Sequence, residues 1–568
     1  MNNLPKLVNS SELADIQNTE FSADALGRYL CSTWQEATQN GGPAFGAVVI
    51  GSGMYGAYLA ESLFQRSAAG NFRVLVLEAG PFLVSEHVQN LARIGLNVPS
   101  AIHPYQDSGK ARDVVWGIPW RGFDHYPGLA YCVGGKSLYW GGWCPRLTSA
   151  DLIQWPPVVA QHVQSTYPTV EDETGVLPTT DFISGALFQT LMQRFQQVAP
   201  TVSNLAAVEE APLAVQGEPP ASGLFSFDKF SSAPILADAI RQDAANSNLD
   251  DSQRRLFLVP RAHVVKLHTA QGVVTTLEVG VQGQRHFLNI APNCAVVLCA
   301  SAIESTRLAL LSFPSPLMGR NLMAHLRSDF TVRIKRTAFG PLPADLETAA
   351  LLVRGTSGQG RFHIQVTASA SRKGFSEELL FRMIPDIDER LDLLASQDAD
   401  FITVTLRGVG EIQGDRNTPV PNGNSWINLS HDFDEFGVQR AWVQFGLRAA
   451  DVQLWNDMDQ ATLALAQAVA GQASNIEYFY DGTWQTQPYP LNRPFPEWHR
   501  GLGTTYHESG TLWMGGDASS SVTNTNGRFH HIQNAYACDQ SIFPTVGSAN
   551  PVLTGLALAR RVAAAIVP

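Results

Sequence analysis

The chain has 568 residues, of which 45% are apolar and 16% are charged, and its formal net charge is −12 at pH 7. This length predicts two or more domains, and a charged share below the roughly 25% typical of soluble domains indicates a large compact body. Because the chain is acidic and has no block of lysine or arginine, nucleic acid and anionic membranes are excluded as expected partners.

Targeting and redox signals are also lacking in the sequence. The first residues, MNNLPKLVNSSELADIQNTE, have no apolar run and no twin arginine, so we expect no secretory signal. No stretch of about 18 apolar residues predicts a membrane span. The six cysteines form no CxxC pair and no metal-type cluster, which indicates reduced thiols and no metal site. We therefore expect a cytoplasmic protein.

The predicted elements begin with a helical segment over residues 11–40, followed from residue 45 by strand, glycine turn, helix and strand. Residues 105–150 are typical of loops, and the proline-punctuated residues 151–225 indicate departure from the first domain. Apolar runs over 254–311 predict strands and a strand entering a helix. Alternating runs over 330–450 predict an antiparallel sheet with one covered face.

A helix is predicted over 449–471, and from residue 500 the glycine-rich composition of the first domain returns. The predicted fold class is α/β plus β. A discontinuous Rossmann-like nucleotide-binding domain comprises residues 1–150, 225–330 and 500–568, and a mostly antiparallel substrate domain flanked by helices comprises 151–224 and 331–499.

The glycine turn carries the pattern GxGxxG after a strand and before a helix. Gly51 permits the tight turn, Gly53 lets a pyrophosphate approach the backbone, and Gly56 lets the helix pack closely. Glu78, 22 residues after Gly56, ends the next strand, where a carboxylate accepts hydrogen bonds from ribose hydroxyls. The alternative is a turn without a ligand. Glu78 disfavours a 2′-phosphate but does not separate NAD from FAD.

Two late segments bear on that choice. Asn550-Pro551 opens a long helix, with asparagine expected as the N-cap and proline in the first turn. The positive end of such a helix would stabilise an anionic reduced flavin, although an ordinary capped surface helix has the same signature. His507 lies in the small-residue stretch HESGTLWMGG, which suits the close approach of a flat ring, whereas a lone histidine is more often structural.

Several separated motifs in this order resemble the glucose–methanol–choline (GMC) oxidoreductases, which are FAD-dependent alcohol oxidases and dehydrogenases. They are the glycine turn with Glu78, VGGKSLYWGG (133–142), PRAHVVKL (260–267), ASAIESTRLALL (300–311), MGRNLMAHL (318–326), YHESGTLWMG (506–515) and DQSIFPTVGSANP (539–551). Within the family the chain looks most similar to pyranose oxidases and bacterial glycoside oxidases. The resemblance implies that the first domain binds FAD.

The resemblance also implies roles for individual residues. His507 and Asn550 match the catalytic pair, with His507 taking the hydroxyl proton and Asn550 holding the substrate oxygen while a hydride passes to flavin N5. The implied FAD-binding residues are Gly51, Gly53, Met54, Tyr55, Gly56, Glu78, Gly134, Gly135, Ser137, Tyr139, Trp140, Gly141, Gly142, Val264, Ala300, Asp539, Asn550 and Val552.

Tyr139 stands where fungal pyranose oxidases have the histidine that bonds covalently to FAD, so we expect non-covalent FAD. The implied substrate is a sugar or glycoside, with oxygen or another molecule as electron acceptor. A non-sugar alcohol such as a sterol or secondary-metabolite intermediate, and a non-redox or photochemical flavoprotein, are the alternatives. The oligomeric state is not predicted.

Further candidates come from the β domain. His363 and Gln365 alternate on one strand face and could point toward the flavin, although a core histidine is the alternative. Gln413, Asp415 and Arg416 either rim the substrate pocket or form a solvated turn. His325 is interpreted as structural or near the edge of the flavin. The aromatic residues Trp116, Trp120, Tyr126 and Tyr131 either stack on a sugar or pack inside the protein.

Overall fold

The structure is a computed structural model. It describes residues 30–68, 70–90, 115–123, 128–177, 183, 185–216, 228–248, 250–372, 398–421, 423–494 and 496–568. The predicted leading helix over 11–40 therefore lies mostly outside the described residues. The described helices are α1 Trp34–Thr38, α2 Met54–Arg66, α3 Pro157–Thr174, α4 Ala186–Val198, α5 Ser232–Asn246, α6 Ala302–Ser312, α7 Ala449–Ala470 and α8 Val552–Ile566.

The described strands fall into six sheets. They are β1 Ala47–Ile50, β2 Val74–Leu77, β3 Trp116–Gly117, β4 Arg121–Gly122, β5 Leu129–Ala130, β6 Val176–Leu177, β7 Leu205–Glu210, β8 Leu213–Gln216, β9 Asp228–Lys229, β10 Leu256–Val259, β11 Ala262–Ala270, β12 Val273–Val281, β13 Gln284–Asn289, β14 Ala295–Leu298, β15 His325–Lys335, β16 Glu347–Ser357, β17 Gly360–Ala370, β18 Phe401–Glu411, β19 Trp426–Phe433, β20 Gln439–Gln444, β21 Ile476–Tyr480, β22 Thr483–Gln485 and β23 Ala535–Ala537.

The first large sheet is parallel, with five strands in the order β10-β2-β1-β14-β23. All four residues of β1 and of β2 are buried, as expected for parallel strands that are covered on both faces. Helix α2 packs against α5 and α8, and apolar residues of the antiparallel sheet β11-β12-β13, such as Leu267 and Leu277, join the same core.

The glycine turn lies at a point where the strand order reverses. From β1 the chain passes through α2 to β2 on one side, whereas β14 and β23 lie on the other side. In open α/β sheets, ligands bind in the crevice at such a switch point, beyond the carboxyl ends of the strands. The predicted nucleotide-binding turn is therefore where this topology creates a crevice.

The second large sheet is antiparallel, with seven strands in the order β22-β21-β15-β18-β17-β16-β7. One face is apolar and packs against α4 and α7. The other face is polar but largely buried, which corrects the expectation of one covered face. Arg327 on β15 and Gln365 on β17 belong to this polar face, and both line the cavity described below.

The proline-punctuated segment contains two helices that the sequence did not predict. Pro157 stands in the first turn of α3, where its missing N–H is not needed. The buried residues of α3 join the core of the parallel sheet, whereas those of α4 join the core of the antiparallel sheet. The predicted fold class, α/β plus β, is confirmed, and the domain boundaries remain a prediction. In the described part of the chain, every helix is too short or too polar to cross a membrane.

Candidate active site

A cavity lies at the carboxyl ends of β1, β2 and β14 and extends to the polar face of the antiparallel sheet. Most of the predicted cofactor residues line it. They are Gly51, Gly53, Met54, Tyr55, Glu78, Gly135, Ser137, Tyr139, Trp140, Gly141, Val264, Ala300, Asp539, Asn550 and Val552. Residues from both ends of the chain therefore meet around one space.

The three glycines of the turn have different surroundings. Gly51 has φ +97°, and a Cβ there would lie 2.6 Å from the carbonyl oxygen of Cys299. A Cβ on Gly56 would lie 2.0 Å from the carbonyl oxygen of Gly51, so the helix packs against the turn only because this residue has no side chain. Among the described residues, a Cβ on Gly53 would meet no atom within 4 Å. This open space beside the start of α2 is what an approaching phosphate needs.

The Glu78 carboxylate stabilises the glycine turn through hydrogen bonds. Its Oε2 accepts hydrogen bonds from the backbone N of Ser52 at 2.9 Å and from the Ser52 hydroxyl at 2.7 Å, and its Oε1 accepts from Gly80 N at 2.9 Å. Burial raises the pKa of Glu78, and these donors oppose the rise. Since a carboxylate has about four acceptor sites, Glu78 retains acceptor capacity on its cavity side.

Three helix N-termini point into the cavity: Gly53 precedes α2, Ser301 precedes α6 and Pro551 precedes α8. Within the part of the chain that the structure describes, none of the three has a side-chain cap. Their unpaired N–H groups and partial positive charges favour an anion such as a pyrophosphate. The buried Asp539, which accepts from the Ser305 hydroxyl at 2.6 Å and from Ser541 N at 2.9 Å, lies beside them.

The cavity wall also has buried polar atoms that lack a hydrogen-bond partner within the described part of the chain. They are the Tyr131 hydroxyl, Trp143 Nε1, both ring nitrogens of His263, Glu304 Oε2 and Thr505 Oγ1. Buried polar groups are rarely left unpaired in folded proteins, so a ligand rich in donors and acceptors is expected to satisfy them. Together with the open space at Gly53, these atoms fit a dinucleotide such as FAD.

The predicted catalytic pair lies at the end of the cavity nearest the antiparallel sheet. Nε2 of His507 is 3.5 Å from Nδ2 of Asn550, and both residues line the cavity. On its other side, Nδ1 of His507 is 2.7 Å from Nδ1 of His325, whose Nε2 is 2.9 Å from the Gly547 carbonyl oxygen. His325 therefore lies in direct contact with the predicted base.

A second set of hydrogen bonds reaches Asn550. Gln365 Nε2 donates to Asn550 Oδ1 at 2.9 Å and lies 3.1 Å from Nε2 of His363. Nδ1 of His363 forms a short hydrogen bond with the Ser548 carbonyl oxygen. His363 is fully buried and does not line the cavity, whereas Gln365 does.

All three histidines are held neutral near pH 7. Burial lowers the pKa of His325 to about 4 and that of His363 to about 3. Burial, followed by the neighbouring His325 and His363 and the cationic Arg327 and Lys136, lowers the pKa of His507 well below its usual value. A neutral imidazole can accept a proton, so the arrangement suits general base chemistry.

Charged and aromatic side chains complete this end of the cavity. Lys136 Nζ pairs with Glu508 Oε1 at 2.7 Å and lies 5.4 Å from the centre of the Tyr506 ring. The Trp116 ring meets the Tyr139 and Tyr506 rings edge-on, each at 5.7 Å. Of the predicted aromatic set, Trp116 and Tyr131 line the cavity, Trp120 lies in the core, and Tyr126 lies outside the described residues.

Some predicted residues are not brought to the cavity. Gly56, Gly134 and Gly142 lie behind its lining and shape the backbone, the last two with φ +88°. Gln413, Asp415 and Arg416 line a separate polar pocket with Gln154, Asn321 and Arg448. The reason is that β18 ends at Glu411 and the chain then turns away from the cavity. The Asp415 carbonyl oxygen beyond this turn accepts a hydrogen bond from Asn321 N at 2.7 Å.

The Asn550 side chain does not cap α8, contrary to expectation. The helix runs from Val552, and Pro551 precedes it with helical backbone angles of −79° and −12°. The Asn550 amide instead contacts His507 and Gln365. Sequence reasoning also missed Lys136, His263 and Arg327 as cavity residues. The first two lie inside the quoted motifs, which is the one signal that could have found them.

The C-terminal part of the chain matches a known family. Residues 421–559, which include His507 and Asn550, match the model for the C-terminal region of GMC oxidoreductases. The chain carries a GMC oxidoreductase domain. The match does not extend to the glycine turn.

The fold is shared with solved structures. One is the crystal structure of pyridoxine 4-oxidase from Mesorbium loti, which aligns with a TM-score of 0.53 and 16% sequence identity. The alignment covers 92% of this chain and 99% of that chain, so the likeness extends over the whole fold. A comparison with curated proteins found no match.

Proposed function

We propose that this GMC-type protein binds FAD non-covalently and oxidises a hydroxyl-bearing carbon of a sugar or glycoside, with His507 as the proton acceptor and Asn550 as the donor to the substrate oxygen. The observation that carries the proposal is the 3.5 Å separation between His507 Nε2 and Asn550 Nδ2 at the cavity wall. One substrate oxygen placed near both atoms would donate its proton to the first and accept a hydrogen bond from the second.

The cofactor would be held by the glycine turn and the polar groups that line the cavity. The Gly51–Gly56 turn and the start of α2 would bind the pyrophosphate, and Glu78 would bind the ribose. Bound FAD supplies the acceptor for the hydride that leaves the carbinol carbon. We further propose that Tyr139, which lines the cavity, forms no bond to it.

The protein's own contribution to the chemistry is proton transfer and positioning. The O–H bond of the substrate breaks as its proton moves to Nε2 of neutral His507. Asn550 stabilises the negative charge that develops on the oxygen, because its N–H is already oriented toward that position. Gln365 holds the Asn550 amide through the 2.9 Å hydrogen bond to Oδ1.

The composition of the wall near His507 supports a sugar-like substrate. Trp116 and Tyr506 offer aromatic surface, and Gln365, Arg327 and Thr505 offer hydrogen-bonding groups beside it. A sugar ring presents an apolar face and several hydroxyl groups, which matches such a mixed wall. The similar fold of pyridoxine 4-oxidase makes pyridoxine, an aromatic alcohol, the natural competitor in a test.

The test is anaerobic mixing of the purified holoprotein with free sugars, glycosides, pyridoxine and simple alcohols, following the absorbance of the flavin. We expect sugars or glycosides to bleach the flavin. In His507→Ala the rate should fall about 10²–10⁴-fold while FAD stays bound, and the exposed His431→Ala should behave like the wild type.

Bleaching by pyridoxine alone would overturn the substrate class, and normal reduction in His507→Ala would overturn the base. Repeating the productive mixtures in air, and with an artificial acceptor, identifies the electron acceptor. Flavin that stays with the protein after denaturation would overturn non-covalent binding.

A further inference from the structure

We propose that His325 is a positioning residue that holds His507 in the tautomer protonated at Nδ1, so that Nε2 is the nitrogen that accepts the substrate proton. This inference rests on the proposed role of His507 as the base. The direction of each hydrogen bond around His325 and His507 supports this role.

The first step is the anchor at Gly547. A backbone carbonyl oxygen only accepts hydrogen bonds, so His325 Nε2, 2.9 Å away, must carry a proton. His325 is almost completely buried and its pKa is lowered to about 4, so the ring is neutral and has a single N–H. Nδ1 of His325 is therefore unprotonated and acts as an acceptor.

The second step follows from the 2.7 Å contact between the two Nδ1 atoms. With His325 Nδ1 as the acceptor, His507 Nδ1 must be the donor. Neutral His507 then has no proton on Nε2, and this lone pair faces the cavity. The neighbouring Asn550 Nδ2 is a donor only, which agrees with an acceptor at His507 Nε2.

An independent set of hydrogen bonds fixes the Asn550 amide. The Ser548 carbonyl requires a proton on His363 Nδ1, so His363 Nε2 is an acceptor and takes one N–H of Gln365. The second N–H of Gln365 needs an acceptor, so the atom of the Asn550 amide that faces Gln365 must be the oxygen Oδ1 and not the nitrogen. Asn550 Nδ2 is thereby directed toward His507, so both sets of bonds, anchored on consecutive carbonyls, agree.

The same contact stabilises the product of proton transfer. When Nε2 gains the substrate proton, His507 becomes a cation, and its Nδ1–H donates to His325 in a stronger, charge-assisted hydrogen bond. The net change is one O–H bond broken and one N–H bond formed at Nε2.

The test is selective ¹⁵N labelling of histidine in the holoenzyme, with long-range ¹H–¹⁵N spectra that distinguish protonated from unprotonated ring nitrogens. His507→Ala identifies the His507 signals. We expect Nδ1 of His507 to be protonated and Nε2 unprotonated in the wild type. A protonated Nε2 in the wild type would overturn the proposal without any variant.

Two variants measure the consequence. His325→Phe keeps a flat ring but removes the acceptor, and we expect anaerobic flavin reduction to slow by about 10²–10⁴-fold, as when a catalytic histidine loses the partner that sets its tautomer. His325→Gln offers an oxygen to His507 and an N–H to Gly547, and it should restore the rate to within about tenfold of the wild type. The exposed His431→Phe is the matched control.

The outcomes separate this proposal from the proposed function. If His507→Ala is slow but His325→Phe is as fast as the wild type, His507 is the base and the positioning role is overturned. If His507→Ala reduces normally, the proposed function fails first, while the nitrogen spectrum still reports the tautomer. A His325→Gln variant as slow as His325→Phe, with its spectrum unlike that of the wild type, would also count against the proposal.

Discussion

Asn550 Nδ2 and His507 Nε2 are 3.5 Å apart, at the outer limit of a hydrogen bond. Because the direct contact is weak, both atoms remain able to bind one oxygen atom that lies beside the pair, within hydrogen-bond distance of each. We expect Asn550→Ala to slow anaerobic flavin reduction by about 10²–10³-fold, the usual cost of removing one donor to a developing oxyanion. Rapid-mixing absorbance measures this rate, and the exposed Asn289→Ala serves as control. A rate within a few fold of the wild type would exclude the donor role.

A matched pair of glycine substitutions separates cofactor binding from folding. Gly53→Ala places a methyl group in open space, so we expect an unchanged Tm for the FAD-free protein but at least about tenfold weaker FAD binding. Gly56→Ala places a methyl group 2.0 Å from a carbonyl oxygen and should lower the free energy of unfolding by about 1–3 kcal/mol or more. Thermal unfolding and flavin fluorescence titration measure the two effects. Equal behaviour of the two variants would contradict the distinction.

The Glu78 carboxylate is expected to be needed for a stable turn as well as for the ribose. Glu78→Gln turns an N–H group toward Ser52 N or Gly80 N, both of which are donors, and leaves one of them unpaired. An unpaired buried donor costs about 1–3 kcal/mol, so FAD affinity should fall by about 5–150-fold. Fluorescence titration checks this, with the exposed Glu210→Gln as control. An unchanged affinity would mean that the hydrogen bonds of Glu78 to the turn are not needed for FAD binding.

The pH dependence of flavin reduction follows from the lowered pKa of His507. The base is active only when neutral, and a lowered pKa keeps it neutral at more acidic pH. We therefore expect the reduction rate to stay constant as the pH falls through 6.5, the usual histidine value, and to decrease only below it. Anaerobic single-turnover measurements over a pH series give this profile. A decrease centred at or above 6.5 would argue against the buried base.

Much of the nucleotide-binding half could be predicted, because its signals are local. Gly51, Gly53, Gly56 and Glu78 lie in a continuous strand–turn–helix–strand pattern whose geometry depends on neighbouring residues. The identity of the catalytic pair came from motif resemblance, and its distance could not come from the sequence. Placing His507 beside Asn550 requires the packing of the C-terminal segments.

The relations that define the site are long-range, and periodicity carries no information about them. His325 and His507 are 182 residues apart in the sequence. They come into contact because His325 begins β15 and the loop that carries His507 packs against the start of this strand. The local cap signal at Asn550 was wrong for the same reason, since distant Gln365 and His507 engage its amide. The polar segment with Gln413 was predicted near the substrate because it follows a strand, but it lines a separate polar pocket. The direction in which a chain turns after a strand is not encoded in a local sequence pattern.

The edge position of β23 has a consequence for synthesis of the protein. Among the described strands, β23 joins the parallel sheet through β14 alone, and the segment after it brings Asp539, Asn550 and α8 to the turn formed by Gly51 and Gly53. On a ribosome, the first half of the binding crevice thus emerges long before its second half. Capture of the coloured cofactor should therefore follow the synthesis of β23 and α8, and nascent chains that stop before β23 should emerge colourless.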